Sequence, residues 1–568
     1  MSIPIGVTEK NALFSVSDKT DLAEHARILS ELGYTIYASG GTAKVIKTAG
    51  TPVIDVADLV GGGEILHGRV KTLSRQLHAA LLADALKPED LAELLKDSIP
   101  FIDFVRVDFY PLKKMIEEVT LSTPNREEAI KKVIEETDIG GPTLARSASK
   151  GFRAVVCRVQ DMETVLDELK ETGAISSATR QWLRANAEFE VAKYVGMSAE
   201  FHGNGRFKVI TGERVGETFK GENGPQSPAA LYSTGSDDPL SLDKFELIAG
   251  SSLGYNNWCD VHRLLETMTR MAAAYELNYG KVPYIAVGCK HGNPCGAALV
   301  GDSPYLILRQ MVFGDRRAIF GGFVMTNFKI TEEQAEVMVQ AMLQGKPLFD
   351  GVVAPGFTNQ AIDKLKRSKG QCRMIVNPAL AHAATLLDVS PRFRYVRGGF
   401  LAQPNYDFLL NFNDPELKVY GSFRPSIMKA DLLLASAIGS TSNSNTITIV
   451  RNGMLIGNGV GQQDRVGSAE LAVKRAIDAG HGSFTWWGKL LRRLGSNYTR
   501  NSLEGAVAYS DSFFPFPDGV QVLIDAGIKV IFSTSGSRND KAVQDLCVDQ
   551  GVVLVQLPDS KARGFFGH

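Results

Sequence analysis

Apolar and polar positions at the start of the chain follow two alternating periods. Residues 13–16 form a short apolar run typical of a strand, and apolar residues between Leu22 and Leu32 then recur at helical spacing. Residues 34–38 form a second apolar run, which a second helical pattern follows. Strands and helices that alternate with short turns predict an α/β fold in which helices cover a parallel sheet.

The turns after these two strands carry hydroxyl, glycine and lysine residues, in Asp18-Lys19-Thr20 and in Ser39-Gly40-Gly41-Thr42. Ligands of parallel sheets lie at the carboxyl ends of the strands. The N–H groups and the dipole of a helix N-terminus favour a phosphate there. The same residues are also common helix caps. The pattern therefore leaves two interpretations open, a phosphate site and a pair of caps.

The rest of the chain alternates helices and strands again, without a repeat of fixed period. A helix is predicted at 175–194, and the polar, glycine-rich residues 198–235 predict a joint between two halves. Further predicted elements are helices at 259–278, 331–344, 468–479 and 540–549, strands at 104–109, 529–531 and 552–555, and a hairpin of strands 446–451 and 454–456 around Asn452-Gly453.

Lys290 and His291 lie at the end of an apolar run, residues 283–287, which predicts a strand that stops at a glycine turn. A lysine beside a histidine disfavours the imidazolium, so the imidazole can accept a proton near pH 7. The ammonium can stabilise an oxyanion. An ordinary solvated turn is the alternative, and the pair by itself does not decide between the two.

Composition and charge narrow the class of protein. The 568 residues predict roughly three or four domains. A net charge of -1 gives no general attraction to nucleic acid or to membrane surfaces. No apolar stretch of about 18 residues and no signal-peptide pattern appear, so a cytoplasmic protein is expected. Scattered cysteines and histidines, and the lack of a P-loop motif, predict neither a metal site nor ATP-driven chemistry. Trp486-Trp487 is expected to pack internally.

Taken together and in order, the motifs resemble the bifunctional purine-biosynthesis family that combines 5-aminoimidazole-4-carboxamide ribonucleotide (AICAR) transformylase with inosine monophosphate (IMP) cyclohydrolase. The resemblance runs through almost the whole chain. Its landmarks are Ser15-Val16-Ser17-Asp18-Lys19-Thr20, Ala38-Ser39-Gly40-Gly41-Thr42, Gly68-Arg69-Val70-Lys71-Thr72-Leu73, Asp138-Ile139-Gly140-Gly141-Pro142, Tyr255-Asn256-Asn257, Lys290-His291, Asn293-Pro294-Cys295-Gly296, Val353-Ala354-Pro355-Gly356-Phe357, Arg397-Gly398-Gly399, Gly459-Val460-Gly461-Gln462-Gln463 and Ser510-Asp511-Ser512-Phe513-Phe514-Pro515-Phe516.

The resemblance implies an α/β protein with two regions. Residues 1–198 would form the cyclohydrolase domain, a methylglyoxal-synthase-like parallel sheet. Residues 199–568 would form the transformylase from duplicated cytidine-deaminase-like α/β domains without their zinc, with a boundary near 360–390. The implied ligands are AICAR, formyl-AICAR and IMP, with 10-formyltetrahydrofolate as the formyl donor. A homodimer that shares sites between chains is also implied, without nucleic acid, membrane, metal or ATP.

For ring closure, the resemblance assigns Lys71 to the oxyanion and Tyr110, Asp138 and Lys150 to proton transfer and orientation. The alternative is that Asp138 caps a helix and Lys150 is a solvated lysine. Neither residue would then take part in ring closure. The implied substrate-binding residues of this domain are Ser17, Lys19, Thr20, Ser39, Gly41, Thr42, Arg69 and Thr72.

For formyl transfer, the AICAR amine is a poor nucleophile because its lone pair is delocalised, so a base must take its proton as it attacks. His291 matches that base, and Lys290 and Asn445 match groups that stabilise the formyl oxyanion or assist proton transfer. The implied binding residues of this region are Lys220, Asn223, Arg465, Phe513, Asp518 and Arg563.

The sequence departs from the family at residues 218–226, where Phe219, Lys220 and Pro225 replace an arginine, a tyrosine and a histidine. Phenylalanine cannot copy a bidentate guanidinium, although Lys220 offers a point charge and Arg316 or Arg317 is a hypothetical substitute. Three hypotheses stay open: both activities, a working cyclohydrolase with a weakened transformylase or another formyl donor, and a non-catalytic nucleotide-binding relative.

Overall fold

The structure is a computed structural model that describes residues 10–66, 69–218, 220–299, 301–341, 349–421, 426–484 and 501–567. Gly68, Phe219 and Trp486-Trp487, which the sequence analysis singled out, lie outside the described residues. The chain divides into two compact units, Met1–Thr211 and Gly212–His568. The predicted domain boundaries near 198 and 360–390 stay predictions.

The first unit contains a five-stranded parallel sheet in the order β3-β2-β1-β4-β5. Its strands are β1 (Lys10–Ser15), β2 (Tyr34–Ala38), β3 (Ile54–Asp55), β4 (Phe104–Val107) and β5 (Ala154–Val156). Its helices are α1 (Leu22–Glu31), α2 (Gly40–Thr48), α3 (Val56–Val60), α4 (Arg75–Leu82), α5 (Pro88–Lys96), α6 (Leu112–Ser122), α7 (Arg126–Glu135), α8 (Gly140–Lys150), α9 (Asp161–Thr172) and α10 (Ser177–Gly203).

Helices cover both faces of this sheet, as the alternating pattern predicted. On one face Phe14 and Phe104 pack with α1, α2 and α9, and on the other Leu13 and Val105 pack with α4, α8 and α10. A parallel sheet covered on both faces needs apolar residues at consecutive strand positions, and residues 11–14 of β1 are all buried. The α/β class and the parallel sheet are confirmed.

The second unit contains one mixed sheet of twelve strands together with small hairpins. The strands are β6 (Glu213–Thr218), β7 (Ala229–Ser233), β8 (Glu246–Ala249), β9 (Ala286–Lys290), β10 (Asn293–Ala298), β11 (Phe323–Thr326), β12 (Gly351–Ala354), β13 (Arg373–Val376), β14 (Arg392–Val396), β15 (Gly399–Gln403), β16 (Lys418–Tyr420), β17 (Ile447–Arg451), β18 (Met454–Gly459), β19 (Ser483–Phe484), β20 (Asn501–Ser502), β21 (Val507–Ser510), β22 (Val530–Ser535) and β23 (Val553–Pro558).

The α-helices described in this unit are α11 (Tyr255–Tyr279), α12 (Pro304–Gly314), α13 (Glu332–Ala341), α14 (Asn359–Leu365), α15 (Ser426–Gly439), α16 (Arg465–Asp478), α17 (Asp518–Asp525), α18 (Asp540–Asp549) and α19 (Asp559–Ala562). α11 and α15 pack against one face of the large sheet. The opposite face is covered by α12 to α14 in one half and by α16 to α18 in the other.

The large sheet is built from two halves of the same topology. From its middle outward, one half has the order β10-β9-β11-β12-β13-β8 and the other has the order β18-β17-β21-β22-β23-β16. In each half the hairpin and the outermost strand are antiparallel to their neighbours, and three strands between them are parallel. β10 and β18 join the halves in the antiparallel sense. The predicted duplication is therefore visible in the topology.

Several predicted elements differ from the structure at their ends. β4 stops at Val107, two residues earlier than predicted, and the helix predicted to end at 194 continues to Gly203. The predicted joint at 198–235 contains the boundary between the two units, and β6 and β7 pair within it as a hairpin. Among the described residues, no helix is both long and apolar enough to cross a membrane.

Candidate active sites

A cavity of about 820 Å³ opens in the first unit, where β1, β2 and β4 end. The parallel arrangement places the loops after these strands at one edge of the sheet, which is where such sheets bind ligands. The cavity brings together most of the residues assigned to ring closure. These are Ser17, Lys19, Ser39, Gly41, Thr42, Arg69, Lys71, Thr72, Tyr110 and Asp138.

The loops after β1 and β2 are tied to each other at the floor of this cavity. Lys19 Nζ donates to the carbonyl oxygen of Val16 and to Thr42 Oγ1, the latter at 3.1 Å. Ser15 Oγ and Ser39 Oγ lie 3.3 Å apart. Burial lowers the pKa of Lys19. Hydroxyls, a lysine and the first turn of α2 therefore face the cavity together, as a phosphate site requires.

Asp108 follows β4 and occupies N–H groups of the loop after β1. Its carboxylate accepts from the N–H of Ser17 and, at 3.2 Å, from the N–H of Asp18. Burial raises the pKa of Asp108, although Arg106 and Lys19 oppose the shift. A carboxylate therefore lies where the loop would otherwise offer donors to an anion.

Asp138 also lines this cavity, two residues before α8. Its Oδ1 accepts from the N–H of Gly141 at 3.0 Å, and its own N–H donates to Tyr194 Oη at 2.7 Å. A side chain at position 141 would place its Cβ 2.5 Å from Asp138 Oδ2, so glycine is required for this close approach. Burial raises the pKa of Asp138. The carboxyl group therefore holds a proton more readily than an exposed aspartate.

Lys71 and Arg69 reach the cavity from the segment before α4. Lys71 Nζ lies 2.8 Å from Glu64, and this hydrogen bond raises the pKa of Lys71, so the group stays an ammonium. Arg69 forms an ion pair with Glu135. Both basic side chains are partly exposed and face the cavity that Asp138 lines.

The structure does not bring Thr20 and Lys150 into this cavity. Thr20 donates from its N–H and its hydroxyl to Asp18 Oδ1, which forms a local turn ahead of α1 and not a cap of that helix. Lys150 is the last residue of α8, about 15 Å along the helix from Gly140 at 1.5 Å per residue. It lies instead in a neighbouring groove along α8, which Asp138 also lines.

Asp108 and His202 are among the cavity residues that escaped the sequence analysis. Asp108 was counted within the predicted strand 104–109, although β4 ends one residue before it. The rule that ligand groups follow the strand end would have selected it from the correct boundary. His202 belongs to the part of α10 that the sequence did not predict as helix.

In the second unit, Lys290 and His291 lie at the tip of the β9–β10 hairpin. His291 and Gly292 both have positive φ, 53° and 67°, and form a two-residue turn. Lys290 Nζ donates to the carbonyl oxygen of Phe320 at 2.6 Å. The strand end predicted at Lys290 is confirmed by β9.

Asn445 lies near this hairpin through one connecting contact. Asn293 Oδ1, two residues after His291, accepts from the N–H of Asn443 at 3.0 Å. Asn445 Nδ2 donates to the carbonyl oxygen of Gln462 at 2.9 Å. The structure therefore brings the predicted base and the predicted amide into one region at the hairpin tip.

Arg465 is buried beneath Asn445 rather than exposed to a ligand. Its Nη2 donates to Asn445 Oδ1 at 2.8 Å, and its Nη1 forms an ion pair with Asp511. Asp511 is fully buried. Its carbonyl oxygen also accepts from the N–H of Gly564, so the C-terminal segment that carries Arg563 joins this network. In this structure Arg465 orients the Asn445 amide.

The remaining predicted binding residues are half-buried or exposed. Arg563 is half exposed and 3.8 Å from Asp559, Asp518 begins α17, and Phe513 is half-buried. Asn223 Nδ2 donates to Gln226 Oε1 at 2.9 Å, and the carbonyl oxygen of Lys220 accepts from the first N–H of α11. The departing segment 218–226 thus packs at the start of α11. Among the described residues, no group of three His, Cys, Asp or Glu side chains is arranged to hold a metal.

Comparisons with known proteins match both units. Residues 148–475 match the family model described as AICARFT/IMPCHase bienzyme, and residues 21–143 match the MGS-like domain. The chain is 32% identical over 566 residues to a bifunctional purine biosynthesis protein PurH of Neisseria meningitidis, which covers 96% of this chain and 98% of that protein. It is 32% identical over 572 residues to the PurH of Oceanobacillus iheyensis and 31% identical over 561 residues to that of Anoxybacillus flavithermus, with 98% and 96% of this chain covered.

Proposed function

The chain belongs to the AICARFT/IMPCHase bienzyme family, and from this premise we propose which of its residues carry out the two reactions. It is a bifunctional enzyme: it transfers a formyl group to the 5-amino group of AICAR and closes formyl-AICAR to IMP. No observation favours a weakened transformylase or a binding-only relative. Each unit has a candidate site that contains a proton-transfer group and a cationic group, Asp138 with Lys71 in the first unit and His291 with Lys290 in the second. This pairing is the observation that supports both activities best.

Ring closure takes place in the cavity of the first unit. The carboxamide nitrogen attacks the formyl carbon of the same molecule, the formyl oxygen gains negative charge, and water then leaves. Lys71 stabilises that charge because its ion pair keeps it an ammonium. Asp138 takes the nitrogen proton or returns one to the leaving oxygen, a role that its raised pKa favours. Tyr110 lines the same cavity and orients the substrate.

The ribose phosphate binds at the floor of this cavity, where Lys19, Ser39, Gly41 and Thr42 face inward. Ser17 and Thr72 extend the same wall, and Arg69 lies at the rim. Thr20 stabilises the loop after β1, because its N–H donates to Asp18 Oδ1. Lys150 lies in the groove along α8 that Asp138 also lines, and its proposed part in proton transfer rests on the motif match.

Formyl transfer takes place at the tip of the β9–β10 hairpin. His291 removes the amine proton as the nitrogen attacks the formyl carbon. Lys290 and the Asn445 amide stabilise the developing oxyanion. Arg465 holds the Asn445 oxygen at 2.8 Å and thereby fixes the direction in which that amide donates.

The formyl donor is 10-formyltetrahydrofolate, bound with AICAR among Phe513, Asp518 and Arg563. Lys220 and Asn223 contact AICAR from the segment that packs at the start of α11. Arg316 or Arg317 supplies the cationic contact that Phe219 cannot make. We also propose that the protein is a homodimer located in the cytoplasm. Two apolar residues of the β14–β15 hairpin support the dimer, because Tyr395 is 82% exposed and Leu401 is 61% exposed.

Two single substitutions test the assignment of one reaction to each site. K71A is expected to lower the kcat of ring closure by about 10²–10³-fold, a typical loss for one oxyanion donor. H291A is expected to lower the kcat of formyl transfer by about 10²–10⁴-fold, the typical contribution of a general base.

Each variant serves as the control for the other, because each is expected to retain the activity of the unaltered site. Ring closure is followed from formyl-AICAR alone, and transfer is followed from AICAR with 10-formyltetrahydrofolate. If either variant lost both activities or neither, the assignment of separate sites would be wrong.

A further inference from the structure

The duplicated topology of the second unit places two equivalent hairpins in its large sheet. β9–β10 turns through His291-Gly292, and β17–β18 turns through Asn452-Gly453. The φ angles agree closely, 53° and 67° in the first turn and 52° and 71° in the second. Asparagine followed by glycine is the sequence that this turn ordinarily prefers. His291 therefore occupies the position at which the second hairpin has Asn452, a residue type that this backbone conformation favours.

The groups around the two turns are equivalent as well. Lys290 precedes the first turn and donates to the carbonyl oxygen of Phe320, after α12. Arg451 precedes the second turn and donates to the carbonyl oxygen of His481, after α16. The two hairpins thus share their backbone, their basic residue and its anchoring contact. They differ in the residue at the tip.

A buried aspartate holds each turn from the packed helix below it. Asp260 is the sixth residue of α11, and its Oδ1 accepts from the N–H of Gly292 at 2.7 Å. Asp431 is the sixth residue of α15, and its carboxylate accepts from the N–H groups of Asn452 and Gly453 at 2.8 and 2.6 Å. Both aspartates are at most 9% exposed. The carboxylate clamp is therefore a common part of the duplicated unit.

Asp260 differs from Asp431 because it contacts the residues on both sides of Lys290-His291. Its Oδ1 also accepts from the thiol of Cys289 at 3.4 Å, so it contacts the residue before Lys290 and the residue after His291. Burial raises the pKa of Cys289, which keeps the thiol proton available for this contact. One carboxylate oxygen therefore contacts the chain on both sides of Lys290-His291, through the Cys289 side chain before the pair and the Gly292 backbone after it.

We propose that Asp260 is a positioning residue for formyl transfer, which holds His291 in its left-handed conformation with the imidazole and the Lys290 ammonium aimed at one reacting centre. This inference rests on the proposed transfer at the hairpin tip. Asp431 performs the same clamp on a turn without a reactive side chain. The β17–β18 hairpin is therefore an internal control. Loss of Asp431 is expected to disturb the local fold there without affecting formyl transfer.

The test compares D260A with D431A in the full chain, with the kcat and KM of formyl transfer as readouts. D260A is expected to lower kcat by about 10–100-fold, since small misplacements of a catalytic group cost that much, and to change the KM for AICAR by less than about 3-fold. D431A is expected to keep kcat within about 3-fold of the unaltered protein. D260N retains an acceptor oxygen for Gly292 and is expected to recover most of kcat.

Equal losses of kcat in D260A and D431A, or no loss in either, would overturn the inference. So would a D260N variant as slow as D260A, because a backbone clamp needs the acceptor rather than the charge. If D260A does not fold, D260S and D431S form the same comparison. If the unaltered protein transferred no formyl group, the proposed function itself would fail; normal transfer with identical variants would refute only the role of Asp260.

Discussion

The Asp108 carboxylate predicts an unusual response of phosphate affinity to the loss of one charge. Asp108 accepts from the N–H groups of Ser17 and Asp18 at the floor of the cavity, where the ribose phosphate is proposed to bind. An incoming phosphate meets like charge there and competes for the same donors. D108N removes the charge, keeps one acceptor oxygen and releases one N–H to the phosphate. We therefore expect D108N to bind IMP more tightly than the unaltered protein.

The magnitude follows from Coulomb's law. Two unit charges about 6 Å apart repel by about 0.7 kcal/mol at a dielectric constant of about 80 and by about 3 kcal/mol at about 20. Removing that repulsion strengthens binding by about 3–100-fold. Because burial already raises the pKa of Asp108 and a bound phosphate raises it further, binding to the unaltered protein takes up protons. Affinity therefore falls as Asp108 ionises with rising pH, and D108N loses this contribution.

Isothermal titration calorimetry with IMP measures both effects, in two buffers of different ionisation enthalpy. D58N is the matched control, because it removes the same charge from an exposed aspartate of the same unit that does not line the cavity. Its IMP affinity is expected to stay within about 2-fold. Unchanged or weaker IMP binding by D108N would refute the reasoning, since the carboxylate would then act only as a support for the loop.

Three further predictions concern the second unit. Burial raises the pKa of Asp431 to about 6, so the folded state binds that proton more tightly than the unfolded state; this stabilisation is present at low pH and is lost as pH rises through about 6. Between pH 4.5 and 7.5 this group is expected to lower the free energy of unfolding of the unaltered protein by about 2 kcal/mol, and D431N is expected not to show that decrease in urea unfolding. A D431N variant with the same pH dependence as the unaltered protein would contradict the prediction. D511A leaves the Arg465 cation buried without its partner and should cost about 3–5 kcal/mol in urea unfolding, whereas D545A at an exposed pair should cost less than about 1 kcal/mol; similar costs would contradict the burial argument. R316A/R317A should weaken AICAR binding by about 10-fold if these residues replace the missing guanidinium; unchanged affinity by calorimetry would exclude that role.

Periodicity predicted long helices such as α10 and α11, because long elements bury one face in a regular pattern, but it gave no prediction for short strands such as β3 and β5. Element ends were less predictable, since tertiary contacts set them. Asp108 shows the consequence: a strand that ended two residues earlier than predicted turned an expected strand residue into a cavity residue. The duplication was invisible as a sequence repeat, because a topology can recur with different residues in corresponding positions.

The candidate sites show the same division. Residues that follow strand ends, such as Lys19, Thr42 and Lys290, were predictable because a parallel sheet or a hairpin tip presents them. Lys150 was not, because a motif match does not state how far along a helix a side chain lies. Asp260 gave no signal at all, since a helical aspartate becomes informative only when the chain places it 2.7 Å from a turn more than thirty residues away.

The most direct test of the account uses the purified, unaltered protein with two sets of substrates and measures IMP. Formyl-AICAR alone tests the first unit, and AICAR with 10-formyltetrahydrofolate tests both units in sequence. Both mixtures are expected to yield IMP. IMP from neither mixture would contradict the enzymatic account as a whole, and IMP from formyl-AICAR alone would contradict the transfer assigned to Lys290 and His291.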